Sequence, residues 1–178
     1  MTAIAGVVED GKVWIGGDSA GVADYSLTLR ADEKVFKNGP FLFGFTTSFR
    51  MGQLLRYAFN PPDHDPRIDD FKYLVTTFMD AVRDCLKNGG YASSSGGSEK
   101  GGTFLLGYKG NLYSVYDDYQ VGKAVDGINA VGCGEQIVKG ALFVQQNVKP
   151  EKRIKLALTA AERFSSGVRG PFLVLNNQ

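Results

Sequence analysis

The order in which strand-like and helix-like patterns follow one another restricts the fold of this chain more than any other feature. Short β-branched or apolar runs predict strands near 3–8, 12–18, 34–36 and 41–45, the first two separated by an Asp-Gly turn signal. Apolar residues at helical spacing predict helices over about 49–59 and 68–86. The remaining predicted elements are a hairpin over 103–109 and 112–117, a strand ending at 132, helices over 135–147 and 150–164, and a strand over 172–176. Two helix pairs covering two antiparallel sheets, an α+β arrangement, explain this order, whereas a βαβ alternation or an all-β sandwich does not.

The length and charge balance of the chain narrow its functional class. A chain of 178 residues suits one domain spanning 1–178. Twenty Lys and Arg residues against nineteen Asp and Glu residues leave a net charge of +1, so no general field attracts nucleic acid or an acidic membrane. No apolar run approaches the roughly 20 residues of a membrane span, and the opening lacks the basic and apolar segments of a signal peptide. We therefore expect a cytoplasmic protein without a nucleic-acid or membrane partner.

The cysteines and the histidine also limit the chemistry. Cys85 and Cys133 are expected to be free thiols, because a domain of this size needs no disulfide and no export signal is present. His64 is the only histidine, and its surroundings, NPPDHDPR, predict an exposed loop. A histidine-based triad or a zinc site of several histidines is therefore not supported, and we expect no metal or cofactor.

A nucleophile that needs no histidine is present at the amino terminus. A free terminal threonine can transfer its hydroxyl proton to its own α-amine, whose ordinary pKa is about 7.7–8.0. Thr2 becomes such a residue if Met1 is removed. Asp18 and Lys34 follow, and a lysine near the hydroxyl favours the anionic nucleophile while an aspartate orients that lysine. Each also has a simpler interpretation, Asp18 as a strand-end acid and Lys34 as a solvated charge.

These residues carry a resemblance to a known family. The segments MTAIAGVVEDGKVWIGGDSAG and ADEKVF resemble the catalytic opening of proteasome β subunits and of the bacterial HslV peptidase. In that family a terminal Thr, an Asp at the end of the second strand and a Lys before an apolar residue form the active site, at the spacing of Thr2, Asp18 and Lys34. The resemblance implies an αββα sandwich of the Ntn-hydrolase type and a threonine endopeptidase.

Two later segments extend the resemblance. GFTTSFRMGQLLRY resembles the strand-to-helix turn whose backbone amide binds the oxyanion, which implies Thr47 as the donor, or Ser48 if the alignment shifts by one residue. The family usually has glycine at that position. Val131-Gly132-Cys133-Gly134 resembles the family's Gly-Ser-Gly turn, with Cys133 in place of the serine that supports the nucleophile. The alternative is that Cys133 is a small buried residue at a helix start.

The closing segment of the sequence also resembles the family. AERFSSGVRG resembles the family's last helix and following turn, but its usual Asp is absent, with Phe164 nearby. Ser165 or Ser166 is a candidate for part of that role, and both also fit as simple helix-ending residues. The family implies closed homo-oligomeric rings of six or seven subunits, possible stacking, and a separate ATP-dependent unfoldase. Substrate peptide is then expected to lie extended beside Ala20-Gly21-Val22.

Other interpretations and motifs compete with this one. A non-catalytic ring subunit that keeps Met1, or a monomeric small-molecule amidase with the same chemistry, remain alternatives. GVVEDGK resembles the start of a phosphate-binding loop, but Val13 replaces the required Ser or Thr. Gly89 to Gly102 predicts a mobile loop. The pairs Asp69-Asp70 and Asp117-Asp118 are explained by a helix start and a turn.

Overall fold

The computed structural model describes residues 1–95 and 98–177. Its strands are β1 (Ala3–Glu9), β2 (Lys12–Gly17), β3 (Ala20–Ala23), β4 (Ser26–Leu29), β5 (Val35–Asn38), β6 (Phe41–Phe45), β7 (Ser93–Ser95), β8 (Ser98–Lys100), β9 (Phe104–Tyr108), β10 (Asn111–Val115), β11 (Val121–Lys123), β12 (Ile128–Gly132) and β13 (Leu173–Asn176). Its helices are α1 (Phe49–Tyr57), α2 (Asp70–Tyr73), α3 (Met79–Asn88), α4 (Glu135–Val144) and α5 (Pro150–Phe164), with a π-helical segment, Leu74–Phe78, joining α2 to α3.

Two antiparallel sheets form the centre of the molecule. The first has the strand order β12-β1-β2-β13, and the second has the order β11-β10-β9-β6-β5. Alternate residues of β1 face opposite sides, so Ala3 and Ala5 pack against α4 and α5 while Ile4 packs against the second sheet. Burial on both faces explains why β1 reads as a continuous apolar run.

The second sheet is covered by the other helices, which completes the four layers. Its core is aromatic, with Phe41 stacked on Tyr108 at 4.4 Å between ring centroids and Phe43 stacked on Phe36 at 5.2 Å. Leu55 and Phe78 pack into this cluster from the helices. Each fully buried side chain of this size contributes about 1.5–3 kcal/mol to folding. The predicted α+β, αββα fold of the Ntn-hydrolase type is confirmed.

The turn between β1 and β2 sets the register of the first sheet. Asp10 and Gly11 both have positive φ angles, 50° and 72°, as a two-residue hairpin turn with the twist of the strands requires. Glu9 then pairs with Lys12, and Ile4 pairs with Gly17. The residue after Gly17 therefore lies beside the start of the chain.

The predicted helix over 68–86 is shifted and interrupted. It begins after Asp69, whose carboxylate accepts hydrogen bonds from the N–H groups of Phe71 and Lys72. The helical stretch continues through the π-helical segment to Asn88, and Gly89 ends it. Helix α4 ends at Val144 rather than near 147, and the Arg153 guanidinium donates to the carbonyl of Leu142 in its last turn.

Two predicted irregular segments contain paired strands. No strand is predicted between 18 and 34, but β3 and β4 form a separate ribbon there. The loop predicted over Gly89 to Gly102 contains a short ribbon in its described part, because β7 pairs with β8; Gly96 and Gly97 lie outside the described residues. Each strand in these ribbons has only three or four residues, which is too short for its pattern to be recognised in the sequence.

The predicted exposure of His64 is wrong. Its ring stacks on Tyr73 at 4.3 Å, and its side chain is only 8% exposed. Nδ1 lies 2.8 Å from the Tyr108 hydroxyl, and Nε2 lies 2.9 Å from the carbonyl of Ile68. The neighbouring prolines and acids suggested a solvated loop, but the imidazole fills a gap between two tyrosines.

Both cysteines are free thiols, with Cys85 half-buried and Cys133 exposed. Within residues 1–95 and 98–177, no helix has the length and apolar character needed to cross a bilayer.

Candidate active site

Thr2, Asp18 and Lys34 are in direct contact at the end of the first sheet where β1 begins and β2 ends. The hairpin register carries Asp18 to the start of β1, and Lys34 immediately precedes β5 in the second sheet. Lys34 Nζ lies 2.8 Å from Asp18 Oδ1. The Thr2 hydroxyl donates a hydrogen bond to Asp18 Oδ1 and accepts one from Lys34 Nζ. All three residues are buried, at 2%, 2% and 4% exposure. The structure therefore brings together the three residues whose spacing the sequence singled out.

Backbone amides fix the Asp18 carboxylate. Oδ1 accepts from the N–H of Ala3 at 3.1 Å, and Oδ2 accepts from the N–H groups of Ala20 at 3.0 Å and Arg169 at 3.2 Å. Hydrogen bonds to an ionised acceptor are among the stronger ones in proteins. The carboxylate is thereby held in one orientation toward Lys34 and Thr2. The contribution of Arg169 comes from the loop after α5 and has no signal in the sequence, since any non-proline residue has a backbone N–H.

The environment of Lys34 changes its proton affinity. Burial lowers the pKa of Lys34, and the nearby Asp18 carboxylate opposes this shift. The ammonium is thus less stable than in water while it remains hydrogen-bonded to the hydroxyl of Thr2. A cation at this position stabilises negative charge that develops on Thr2 Oγ1.

The backbone of Thr47 adopts a left-handed conformation. Its φ angle is 69°, a region that costs a β-branched residue energy and that glycine adopts freely. The turn is held by two contacts to Thr103, whose N–H donates to Thr47 Oγ1 at 3.1 Å and whose carbonyl accepts from Thr46 at 3.0 Å. Thr47 therefore has a left-handed backbone conformation that suits glycine, although it carries a β-branched side chain.

The amides of Thr47 and Ser48 differ in availability. The Ser48 N–H donates to the carbonyl of Thr46 at 2.8 Å, and its hydroxyl caps α1 by accepting from Arg50. Within the described part of the chain, the N–H of Thr47 has no protein acceptor. Thr47 lines the same cleft as Thr2, so its amide is the better oxyanion donor of the two.

Replacing Thr47 with glycine tests whether its amide or its side chain matters. Because the N–H is retained and the left-handed angle suits glycine, we expect kcat to stay within about tenfold of wild type, whereas losing one oxyanion donor costs about 10²–10³-fold. Peptide hydrolysis by the Met1-free protein measures this. A loss of a hundredfold in a folded Thr47→Gly variant would assign the function to the side chain.

Cys133 contacts the backbone of Thr2. Its thiol donates to the carbonyl of Thr2 at 3.4 Å and lies 3.4 Å from the Ser165 hydroxyl. Cys133 is exposed, so the alternative prediction of a small buried residue is wrong. Gly132 permits this approach, because a Cβ there would lie 2.4 Å from the Thr2 carbonyl oxygen. The thiol thus holds the position that the resemblance implies for a serine.

The turn after α5 lies close to Cys133 and Met1. Phe164 is 78% exposed at the end of the helix, and Ser166 is also exposed, whereas Ser165 reaches Cys133. A Cβ at Gly167 would come within 2.4 Å of the Met1 Cβ and 2.7 Å of Cys133 Sγ. Gly167 therefore leaves space for Met1, a role that the sequence analysis did not predict.

A small open cleft lies beside the hydroxyl of Thr2. It holds about 70 Å³ and is lined by Met1, Thr2, Val22, Lys34, Phe45, Thr46, Thr47, Ser48 and Phe49. Met1 is 53% exposed at this cleft. Thr2, Thr47 and Val22 of β3 therefore line one common space.

No protein-family model and no curated protein matches the sequence. Solved structures match over almost the whole chain. BPH from Thiobacillus denitrificans in complex with epoxomicin is 19% identical, with a TM-score of 0.81 over 98% of this chain and 97% of that one. HslV from Trypanosoma brucei is 16% identical, with a TM-score of 0.70 over 98% of each chain. Anbu from Yersinia bercovieri is 14% identical, with a TM-score of 0.65 over 98% of this chain and 81% of that one. This chain therefore has the proteasome-like Ntn-hydrolase fold of HslV and Anbu.

Proposed function

We propose that this chain is a threonine-type endopeptidase in which Thr2 acts after removal of Met1. The observation that carries the proposal is the buried contact of the Thr2 hydroxyl with Asp18 and Lys34, beside a cleft that Thr47, whose N–H has no protein acceptor among the described residues, also lines. These groups supply a nucleophile, a cation that stabilises it and an oxyanion donor. The missing base is the α-amine that Met1 removal exposes.

The reaction then proceeds through an ester. Thr2 Oγ1 attacks the peptide carbonyl carbon, and its proton moves to the α-amine directly or through a water. The carbonyl oxygen becomes an oxyanion facing the Thr47 amide. Collapse breaks the C–N bond, and the protonated α-amine gives its proton to the leaving amine. A water then attacks the ester with the amine as base, which releases the carboxylic acid and restores Thr2.

Mass spectrometry of Met1-free protein treated with a peptide epoxyketone tests the proposal. We expect a single adduct on Thr2, located by peptide mapping, because this electrophile reacts with a terminal residue that has both an amine and a hydroxyl. The control is the same chain with Met1 retained, which has no free amine on Thr2 and should remain unmodified. Absence of an adduct on folded, Met1-free protein would contradict the proposal.

One observation favours a second candidate, a non-catalytic scaffold that keeps Met1. Met1 lies against the space left by Gly167 and beside Cys133, so the retained residue has a place in the fold. A retained Met1 blocks the amine that the reaction needs. Intact-mass analysis of protein from its native host separates the two: uniform retention of Met1 favours the scaffold, and uniform removal favours the peptidase.

The proposed assembly follows the resemblance as well. We propose a cytoplasmic homo-oligomeric ring of six or seven copies that hydrolyses unfolded polypeptides delivered by a separate ATP-dependent unfoldase. Native mass spectrometry measures the number of copies. A monomer that hydrolyses small amides but not peptides would instead support the amidase alternative.

A further inference from the structure

The segment 169–171, between α5 and β13, lies against the residues that follow β2. Arg169 donates its N–H to Asp18 Oδ2 at 3.2 Å, and its carbonyl accepts from the N–H of Ser19 at 2.9 Å. The Ser19 hydroxyl donates to the carbonyl of Pro171 at 2.7 Å. Three hydrogen bonds therefore attach this segment to Asp18 and to its neighbour in the chain.

Glu162 holds the same segment from the side of α5. It lies in the last turn of that helix, and its Oε1 accepts a hydrogen bond from the N–H of Gly170 at 3.0 Å. The Arg169 guanidinium is 3.8 Å from the same oxygen. A carboxylate in the last turn of a helix is disfavoured by the helix dipole, so helix formation does not explain why this residue is acidic. The hydrogen bond to Gly170 supplies a reason.

One peptide unit is thereby held at both of its ends. The carbonyl of Arg169 and the N–H of Gly170 belong to the same planar trans unit, so they point in opposite directions. The carbonyl is bound to Ser19, and the N–H is bound to Glu162. Rotation of this unit would break these bonds, and they therefore fix the residue whose own N–H reaches Asp18.

The Asp18 carboxylate presents one oxygen to the reacting groups and the other to the backbone. Oδ1 contacts the Thr2 hydroxyl and Lys34 Nζ, whereas Oδ2 accepts from the N–H groups of Ala20 and Arg169. Two donors on Oδ2 oppose rotation of the carboxylate about its Cβ–Cγ bond. If the N–H of Arg169 moves away, the carboxylate is free to turn and Oδ1 leaves its place beside Thr2. A misplacement of about 1 Å in a catalytic site costs about 10²-fold in rate.

We propose that Glu162 is a positioning residue for the reaction, because through the N–H of Gly170 it holds Arg169 where the backbone fixes the Asp18 carboxylate. This inference rests on the proposed function. Among the described residues, those that line the cleft at Thr2 do not include Glu162, so it acts on turnover and not on binding of the peptide. What the position requires is an acceptor oxygen at this reach from α5. The charge is secondary, since the contact with the Arg169 guanidinium is long and partly exposed.

Three replacements of Glu162 in the Met1-free protein separate its reach from its charge. Glu162→Ala removes the acceptor, Glu162→Asp keeps the charge on a shorter side chain, and Glu162→Gln keeps the acceptor oxygen without the charge. We expect kcat for a fluorogenic peptide to fall about 10- to 100-fold in the alanine and aspartate variants, with KM nearly unchanged. The glutamine variant should stay within about threefold of wild type in both constants.

The matched control is Glu151→Ala, at the other end of the same helix. Glu151 pairs with Lys155 at 2.6 Å on the surface, and both side chains are about half exposed. A surface pair of this kind contributes little to the fold. We therefore expect Glu151→Ala to keep the wild-type kcat and KM.

Epoxyketone labelling distinguishes positioning from a loss of folded protein. The fraction of chains labelled on Thr2 at completion counts the competent sites, and the rate constant of labelling reports how well each site is arranged. For Glu162→Ala we expect complete labelling at a lowered rate constant. A reduced labelled fraction with an unchanged rate constant would show a purely structural role and overturn the inference. If Glu162→Ala does not fold, the comparison of Glu162→Gln with Glu162→Asp decides: equal kcat in these two variants overturns the inference.

Amide hydrogen exchange in the Met1-containing protein tests the contact without any activity. Glu162→Ala should accelerate exchange at the N–H groups of Arg169 and Gly170, whereas Glu151→Ala should not. Unchanged exchange at both amides overturns the inference even where Thr2 is labelled. If the epoxyketone does not label Thr2 of the Met1-free wild type, the proposed function fails and the inference fails with it.

Discussion

In the Met1-free protein, Thr2→Ala is expected to lower kcat by about 10⁶-fold, which is the loss seen when one member of a nucleophile–base unit is removed. Alanine keeps the α-amine but lacks the oxygen that attacks the carbonyl, so no ester forms. Asp18 and Lys34 still pair at 2.8 Å, and we therefore expect the variant to fold. Hydrolysis of a peptide with alanine before a fluorogenic leaving group measures the loss, and intact mass shows whether the epoxyketone adduct disappears with it.

The matched control is Thr2→Ser, which retains both the hydroxyl and the α-amine. It should remain labelled by the epoxyketone and should hydrolyse the peptide measurably, whereas Thr2→Ala should do neither. Turnover by folded Thr2→Ala at the wild-type level would contradict Thr2 as the nucleophile and assign the activity to another residue or protein.

The opening hairpin explains why so much of the candidate site could be predicted from the sequence. The Asp-Gly turn fixes the pairing of β1 with β2, and this pairing carries Asp18 to the first residues of the chain. The Asp18 N–H donates to the carbonyl of Ala3 at 3.4 Å, as the same register requires. Lys34 is different, because it lies before a strand of the second sheet and only the packing of the two sheets brings it to Thr2. Its placement was implied by resemblance and not by local pattern.

The backbone contributions to the site could not be predicted in the same way. The amide of Arg169 reaches Asp18 across a separation of 151 residues, and its side-chain type plays no part in that contact. The left-handed angle of Thr47 contradicts the preference of a β-branched residue, so local propensity points away from it. It is maintained by the two hydrogen bonds to Thr103, the residue before β9, and these form only when β9 pairs with β6 in the second sheet.

Irregular-looking segments were the least predictable part of the fold. β3 and β4 have only four residues each, and every residue of β4 is exposed, so the polar and apolar alternation of Ser26–Leu29 is too short to predict a strand and does not mark a buried face. Its β3 strand nevertheless brings Val22 to the cleft. The prediction for His64 failed for a different reason. Its polar neighbours indicated an exposed side chain, but the ring stacks on Tyr73 and is hydrogen-bonded to the carbonyl of Ile68.

Asp18→Asn is expected to lower the free energy of unfolding by about 3–5 kcal/mol, the usual effect of breaking a buried ion pair by removing one partner. The Lys34 ammonium stays buried without its counterion. The amide of asparagine also turns an NH₂ group toward N–H donors, either those of Ala3 and Lys34 or those of Ala20 and Arg169. Urea denaturation of the Met1-containing protein measures this independently of activity, and an unchanged m-value shows that the loss is one of stability.

Two further variants serve as controls for the effect of Asp18→Asn on stability. Asp65 pairs with Arg67 at 2.6 Å on the surface, and Asp65→Asn should leave the unfolding curve unchanged. In Asp18→Asn combined with Lys34→Met, the unpaired charge is gone, so part of the lost stability should return, whereas the Met1-free form of the same double variant should hydrolyse no peptide. Two results would contradict a buried charge pair at this site. One is that Asp18→Asn lowers the free energy of unfolding no more than the surface variant Asp65→Asn does. The other is that the double variant recovers none of the lost free energy. Recovery of stability without activity would instead separate the two roles of Asp18, holding the chain end in the fold and orienting Lys34 toward Thr2.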